Sequence, residues 1–210
     1  MTKEKSTNTL RKRKTKNPCA GCGLHHDLCI CSQIPKLDLK TRVSLIIHRR
    51  EMKRTTNTGM LALKALTNSE MRIRGDQNRQ PLDLSDLMNP THRTLLFYPS
   101  DDAIELTPEL IAQDPRPIML IVPDGNWRQA SKVSIRHPEL QSAVRVKLGG
   151  INTSAHHLRA EHMVEGMATL QAIAYALGII EGLHVQQELL KLYQLKLHQT
   201  LKGRGVVVEN

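Results

Sequence analysis

A chain of 210 residues can bury one sizeable core but is short for two full domains. Its formal charge of +10, with an isoelectric point near 9.7, points to a polyanionic partner, nucleic acid ahead of an anionic membrane surface. No apolar run approaches the roughly 18 residues of a membrane span, and no apolar stretch follows the basic start as a secretory leader requires, so the expectation is a cytoplasmic protein with no membrane partner.

Residues 1–17 read as a first unit. Lys3, Lys5, Arg11, Lys12, Arg13, Lys14 and Lys16 against Glu4 place +6 of the +10 in its first sixteen positions. With scarcely an apolar side chain beyond Met1 and Leu10 it cannot build a core, and it is expected to be a mobile basic arm that brings Lys12, Arg13 and Lys14 to RNA phosphates. Residues 18–35 are the second unit. All four cysteines lie in it, as Cys19-x2-Cys22-x6-Cys29-x-Cys31. In a reducing compartment that spacing favours a metal site over disulfides, and four thiolates suit tetrahedral Zn²⁺ in a closed, structural site. Gly21 and Gly23 bracket Cys22, where they let backbone amides turn toward sulfur. His25 or His26 in place of one thiolate, and a redox dithiol, are the other readings of the cluster.

Residues 36–210 alternate strand-like and helix-like segments. Val43–Ile47, Thr94–Tyr98 and Ile118–Val122 are short apolar runs of the kind that strands of a parallel sheet show when both faces are covered, and Val144–Leu148 is an alternating fourth strand nearer an edge. Thr58–Leu66, Pro108–Gln113, Trp127–Arg136, Ala168–Leu177 and Val185–Leu201 read as helices, and residues 75–93 as a loop with a short helix near Leu84–Met88. An α/β fold with a mainly parallel sheet follows.

Three polar clusters sit where three strands end: His48-Arg49-Arg50-Glu51, Tyr98-Pro99-Ser100-Asp101-Asp102, and Pro123-Asp124-Gly125-Asn126-Trp127-Arg128. Ligands of open α/β sheets bind at that edge. Gly125 permits a tight turn and Asn126 suits a helix cap, which fixes Asp124 as a base or as an acceptor for a cofactor hydroxyl. Thr56-Asn57-Thr58-Gly59 is a second strand-to-helix entry. Arg49 and Arg50 extend a basic track along the rim. G-x-G-x-x-G and Walker A patterns are absent, which disfavours a dinucleotide site and an NTPase. With five aromatic residues in the chain, recognition of a folded RNA by phosphates and shape is favoured over stacking on splayed bases.

In combination these motifs resemble the DTW-domain family of tRNA-uridine aminocarboxypropyltransferases. The matching parts are the four cysteines and Ile34-Pro35, His48-x-x-Glu51, Thr56-Asn57-Thr58-Gly59, Tyr98-Pro99-Ser100, Asp124-Gly125-Asn126-Trp127, Leu158-Arg159 and Ala168-Thr169-Leu170-Gln171-Ala172. Asn126 stands where the family usually has Thr, and Gln171 where Glu is common. The resemblance implies a SPOUT-like knotted domain that binds S-adenosylmethionine in a bent shape. It also implies transfer of the 3-amino-3-carboxypropyl group to N3 of a tRNA uridine, at the variable-loop position 47 rather than in the D-loop, and a possible homodimer. Asp124 is then the base or orienter at N3. Thr58, Gly59 and Arg159 are expected to hold the cosubstrate's carboxylate end, Pro99, Ser100, Gly125 and Trp127 to form its walls, and Leu158 to contact the cosubstrate as well. A knotted-class RNA methyltransferase and a non-catalytic zinc and RNA adaptor are the competing readings.

Overall fold

The computed structural model describes residues 17–52, 54–76, 81–125, 127–150 and 167–206. Lys12, Arg13 and Lys14 of the arm, Asn126, the side chain of Trp127, Leu158 and Arg159 lie outside the described residues. In chain order the elements are β1 (Arg42–His48), α1 (Arg49–Met52), α2 (Gly59–Ala65), β2 (Ser69–Arg74), β3 (Arg93–Phe97), β4 (Ile104–Glu105), α3 (Pro108–Ala112), β5 (Ile118–Asp124), α4 (Trp127–Ala130), α5 (Lys132–Arg136), β6 (Val144–Lys147), α6 (Thr169–Glu181) and α7 (Leu183–Gly203). Short 3-10 turns lie at His26–Leu28, Cys31–Gln33, Ser85–Met88 and Pro138–Ser142.

The strands make one six-stranded sheet in the order β2-β1-β5-β3-β6-β4, with every pair parallel. All carboxyl ends therefore share one edge, as the polar clusters led us to expect. The apolar runs are continuous because both faces are covered and successive side chains divide between them. Val43, Leu45 and Ile47 of β1, Leu95 and Phe97 of β3, and Ile118, Leu120 and Val122 of β5 join the core under α2, α6 and α7. Ile46, Leu96, Met119 and Ile121 face a smaller core closed by Leu84, Leu87, Val133 and Leu140.

Two strands escaped the sequence reading. In β2 the charges of Glu70, Arg72 and Arg74 alternate with Met71 and Ile73 over too few residues to stand out, and an edge strand covered on one side needs no apolar run. The second is β4, two exposed residues. The segment from Trp127 to Arg136 is two short helices that meet at Ser131.

The last two helices run back against each other through Gly182. In α7 the buried positions Val185, Leu189, Leu192, Tyr193 and Lys196 recur at helical spacing, so one stripe faces the core. Cys22, Leu24 and Ile30 belong to that same core, which packs the cysteine segment onto the domain. Among the described residues no helix is long and apolar enough to cross a membrane.

Candidate active site and metal centre

Asp124 closes β5 opposite Ile47 of β1 and is 7% exposed. Two segments far apart in sequence hold its carboxylate. Asn57 Nδ2 donates to Oδ2 at 2.6 Å, and Thr169 Oγ1 donates to Oδ1 at 2.7 Å. Asn57 cannot turn its amide over without loss, because its Oδ1 accepts from Met60 N at 3.0 Å at the start of α2. Thr58 Oγ1 in turn accepts from Leu170 N at 3.2 Å, tying the entry of α2 to the first turn of α6.

A Cβ on Gly59 would lie 3.0 Å from both Asp124 Oδ2 and Leu45 Cδ2, so glycine lets α2 approach the carboxylate. Gly125 leaves the strand with φ +155, a backbone state that L side chains rarely adopt. Gln171 Oε1 accepts from Ala168 N at 3.3 Å, which makes it a cap of α6. Sequence reading had flagged the segments of Asn57 and Thr169 without choosing either residue. Both are small polar side chains at helix starts, where plain capping accounts for them equally well.

Pro99 and Ser100 turn away from the end of β3, the strand next to β5, with Ser100 N donating to Tyr98 O at 2.8 Å and Ala103 N to Ser100 O at 3.0 Å. They line the same sheet edge as Asp124, Thr58 and Gly59. On the other side of β5, Arg49 pairs with Asp76 at 3.1 Å and Arg50 is exposed. Glu51 is fully buried and paired with Arg54 at 3.2 Å. Arg74, at the end of β2, is a buried cation at this edge that sequence reading did not single out. A cavity of about 440 Å³ lies at the opposite edge, near Asn89, Arg93, Asp114 and Arg116. Arg116 there is already taken by Asp114 and by Pro90 O, and none of the chemistry-bearing motifs reaches it.

The four cysteines form the second constellation. Their Sγ atoms all lie within 4.8 Å of one another, with Cys19–Cys31 at 3.6 Å, Cys22–Cys29 at 3.8 Å and Cys19–Cys29 at 3.5 Å. A tetrahedron of thiolates about 2.3 Å from Zn²⁺ has edges of about 3.8 Å, so the donor set fits that ion with no position left open. The backbone N–H groups of Cys22 and Gly21 point at Cys19 and hold its thiol down to about 6, whereas burial pushes Cys31 up to about 12. Those amides reach sulfur because Gly21 carries no Cβ, which would collide with Cys31 Sγ. His25 and His26 stand outside the set. Lys196 of α7 is 1% exposed and donates from Nζ to Cys22 O at 2.5 Å. Burial lowers its pKa and the neighbouring thiolates oppose the shift.

Residues 16–201 match the DTW domain. The chain is 25% identical to the tRNA-uridine aminocarboxypropyltransferase 2 of Drosophila melanogaster over 173 residues, 80% of this chain and 68% of that one. Its identity to the protein of the same name from Macaca fascicularis is also 25%, over 188 residues that cover 86% of this chain and 62% of that one. The chain thus spans about two thirds of the length of these relatives. A solved structure described as the SAM-dependent rRNA:acp-transferase Tsr3 from Vulcanisaeta distributa aligns with a TM-score of 0.43 and 17% identity, covering 79% of this chain and 84% of that one.

Proposed function

Because the chain belongs to the DTW domain family, we propose that it transfers the 3-amino-3-carboxypropyl group of S-adenosylmethionine to N3 of a tRNA uridine, releasing 5′-methylthioadenosine. The observation that carries this reading is the convergence of two separate motif segments, those of Asn57 and Thr169, on Asp124, at the edge where α/β sheets bind ligands. The relatives' names point to the same reaction.

S-adenosylmethionine supplies an electrophilic carbon bonded to a sulfonium that leaves as a neutral thioether. The N3–C bond forms as that C–S bond breaks, its electron pair goes to sulfur, and the N3 proton is lost. Asp124 accepts that proton. The bonds from Asn57 and Thr169 fix the plane of its carboxylate, a group with about four acceptor sites. Thr58 and Gly59, at the entry to α2, and Arg159 are our candidates to hold the cosubstrate's carboxylate. Pro99, Ser100, Gly125, Trp127 and Leu158 would line its walls, and alignment of the reacting atoms supplies much of the rate. A knotted SPOUT-like path of the chain is consistent with the all-parallel sheet. Zn²⁺ on the four cysteines is structural in this reading.

The test is mass spectrometry of nucleosides from unmodified tRNA incubated with the purified protein and S-adenosylmethionine, together with assay of the small product. Aminocarboxypropyl-uridine with methylthioadenosine is expected, and fragment mapping should place it at the variable-loop position 47. A methylated nucleoside with S-adenosylhomocysteine would overturn the chemistry, and no product on any tRNA would favour the adaptor.

A further inference from the structure

At the carboxyl edge of β1 and β2 the described residues gather more positive than negative charge. Arg74 ends β2 in register with His48, the last residue of β1. It is 7% exposed, and its Nη1 is buried with no hydrogen-bond partner. Buried guanidinium N–H groups are almost always met, and a buried cation is costly unless an anion faces it. Here the charged neighbour that acts on Arg74 is another cation, Arg136 at the end of α5. His48 feels Arg74, Arg50 and Arg136 together, and with burial first among the causes its pKa is lowered. The carboxylates at this corner are engaged elsewhere, Asp76 by Arg49 at 3.1 Å and Glu51 by Arg54 at 3.2 Å.

We propose that Arg74, Arg136 and His48 form a binding site for an oxyanion, and that its occupant is a phosphodiester of the substrate RNA. The proposal rests on the reading of the chain as a tRNA-modifying enzyme for the identity of the polymer. Two sources of oxyanion are chemically equivalent, an RNA phosphate and the carboxylate of S-adenosylmethionine. Sheet geometry separates them. Asp124 shares a face with Val122 and Leu120, toward α2 and α6, whereas His48 and Arg74 project from the other face, toward α5. Arg74 also stands two strands away from β5, roughly 10 Å along the edge, with His48 on β1 between them. A small molecule held against Asp124 and the turn of Pro99 and Ser100 does not span that distance around the edge. An RNA backbone whose uridine enters at Asp124 does, and it brings a phosphate for a guanidinium fork to grip.

The test is binding without turnover, using the full chain. Unmodified tRNA transcript is titrated across a KCl series, and S-adenosylmethionine is titrated separately by calorimetry. Arg136 is exposed, so Arg136→Ala should fold normally. It should bind tRNA about tenfold more weakly, with Arg136→Lys between it and wild type. Its slope of log affinity against log salt should be shallower by roughly 0.7 to 0.9, one phosphate's worth. Arg74→Gln should match it, with S-adenosylmethionine affinity unchanged in all three. Arg136→Ala binding tRNA within about twofold of wild type would overturn the site. Weaker S-adenosylmethionine binding with tRNA binding intact would overturn its assignment to RNA. A wild type that loses tRNA affinity with these substitutions yet yields no aminocarboxypropyl product would refute the reaction and keep the site. Product formed by wild type, with variants that bind tRNA as it does, would do the reverse.

Discussion

Thr169 contributes to Asp124 a single hydroxyl donor at 2.7 Å, on the first residue of α6. Thr169→Ala should therefore lower kcat about tenfold and leave KM for tRNA unchanged, while Thr169→Ser restores most of the rate. An unchanged kcat would mean that the bond merely caps the helix. Asp124→Asn removes the proton acceptor itself and should cost at least about a hundredfold in modification rate with tRNA affinity retained. His48 offers a check on electrostatics. Its folded pKa lies below the ordinary 6.5 because of burial and the cations around it, so the unfolded chain binds the proton more readily. Its contribution to stability is full above pH 6.5 and falls away as pH drops toward the lowered value. An NMR titration of the His48 ring should show a depressed midpoint that rises when tRNA supplies a phosphate. At this scale the sequence singled out Asp124 as a candidate, because Pro-Asp-Gly after an apolar strand fixes the carboxylate at a helix entry, and the structure buries it between Asn57 and Thr169. It missed Arg74, since a charged residue ending an edge strand looks solvated, and only the register with His48 and the packing of α5 bury it.

Among the elements, the cysteine segment and α7 depend on each other in a way that spacing did not foretell. The tight Cys19-x2-Cys22-x6-Cys29-x-Cys31 pattern was legible as a cluster because its spacing is local, and the structure brings the four sulfurs together, with separations of 3.5–3.8 Å that a metal ion would fit. Lys196 was not, because one lysine in a leucine-rich helix reads as a surface residue, although it continues the buried stripe of Val185, Leu189 and Leu192. Four thiolates on Zn²⁺ carry a net charge of −2, and the Lys196 ammonium at Cys22 O is placed to offset it. Lys196→Met keeps the apolar stem and removes that charge, so zinc should be lost to a chelator about ten times more readily, read by colorimetric release. Equal retention would show that Lys196 only packs. Chelation of wild type should loosen more than residues 18–35, since Cys22, Leu24 and Ile30 share the main core. A loss of about 3 kcal/mol lowers Tm by roughly 6–12 °C in a chain of this size, and an unmoved Tm would argue against a metal on these cysteines.

Over the whole molecule, positive charge is distributed between a short segment and a sheet edge, and the two should act differently on the reaction. The first sixteen residues carry +6 of the net +10. The edge carries Arg49, Arg50, Arg74 and Arg136 around the end of β1 and β2. Composition made the first legible; the second needed the strand order β2-β1-β5, which long-range pairing sets and no local pattern encodes. Charge on a segment too poor in apolar residues to build a core raises the local concentration of RNA, whereas a guanidinium fixed at the end of a strand also positions what it binds. Removing residues 1–16 should therefore raise KM for tRNA and flatten its salt dependence while kcat at saturating tRNA stays near wild type. Arg74→Gln should raise KM and also lower kcat, because the uridine loses alignment as well as affinity. Steady-state kinetics at two salt concentrations separates the cases. A truncation that lowers kcat would place part of the arm at the reacting uridine and refute this division of labour.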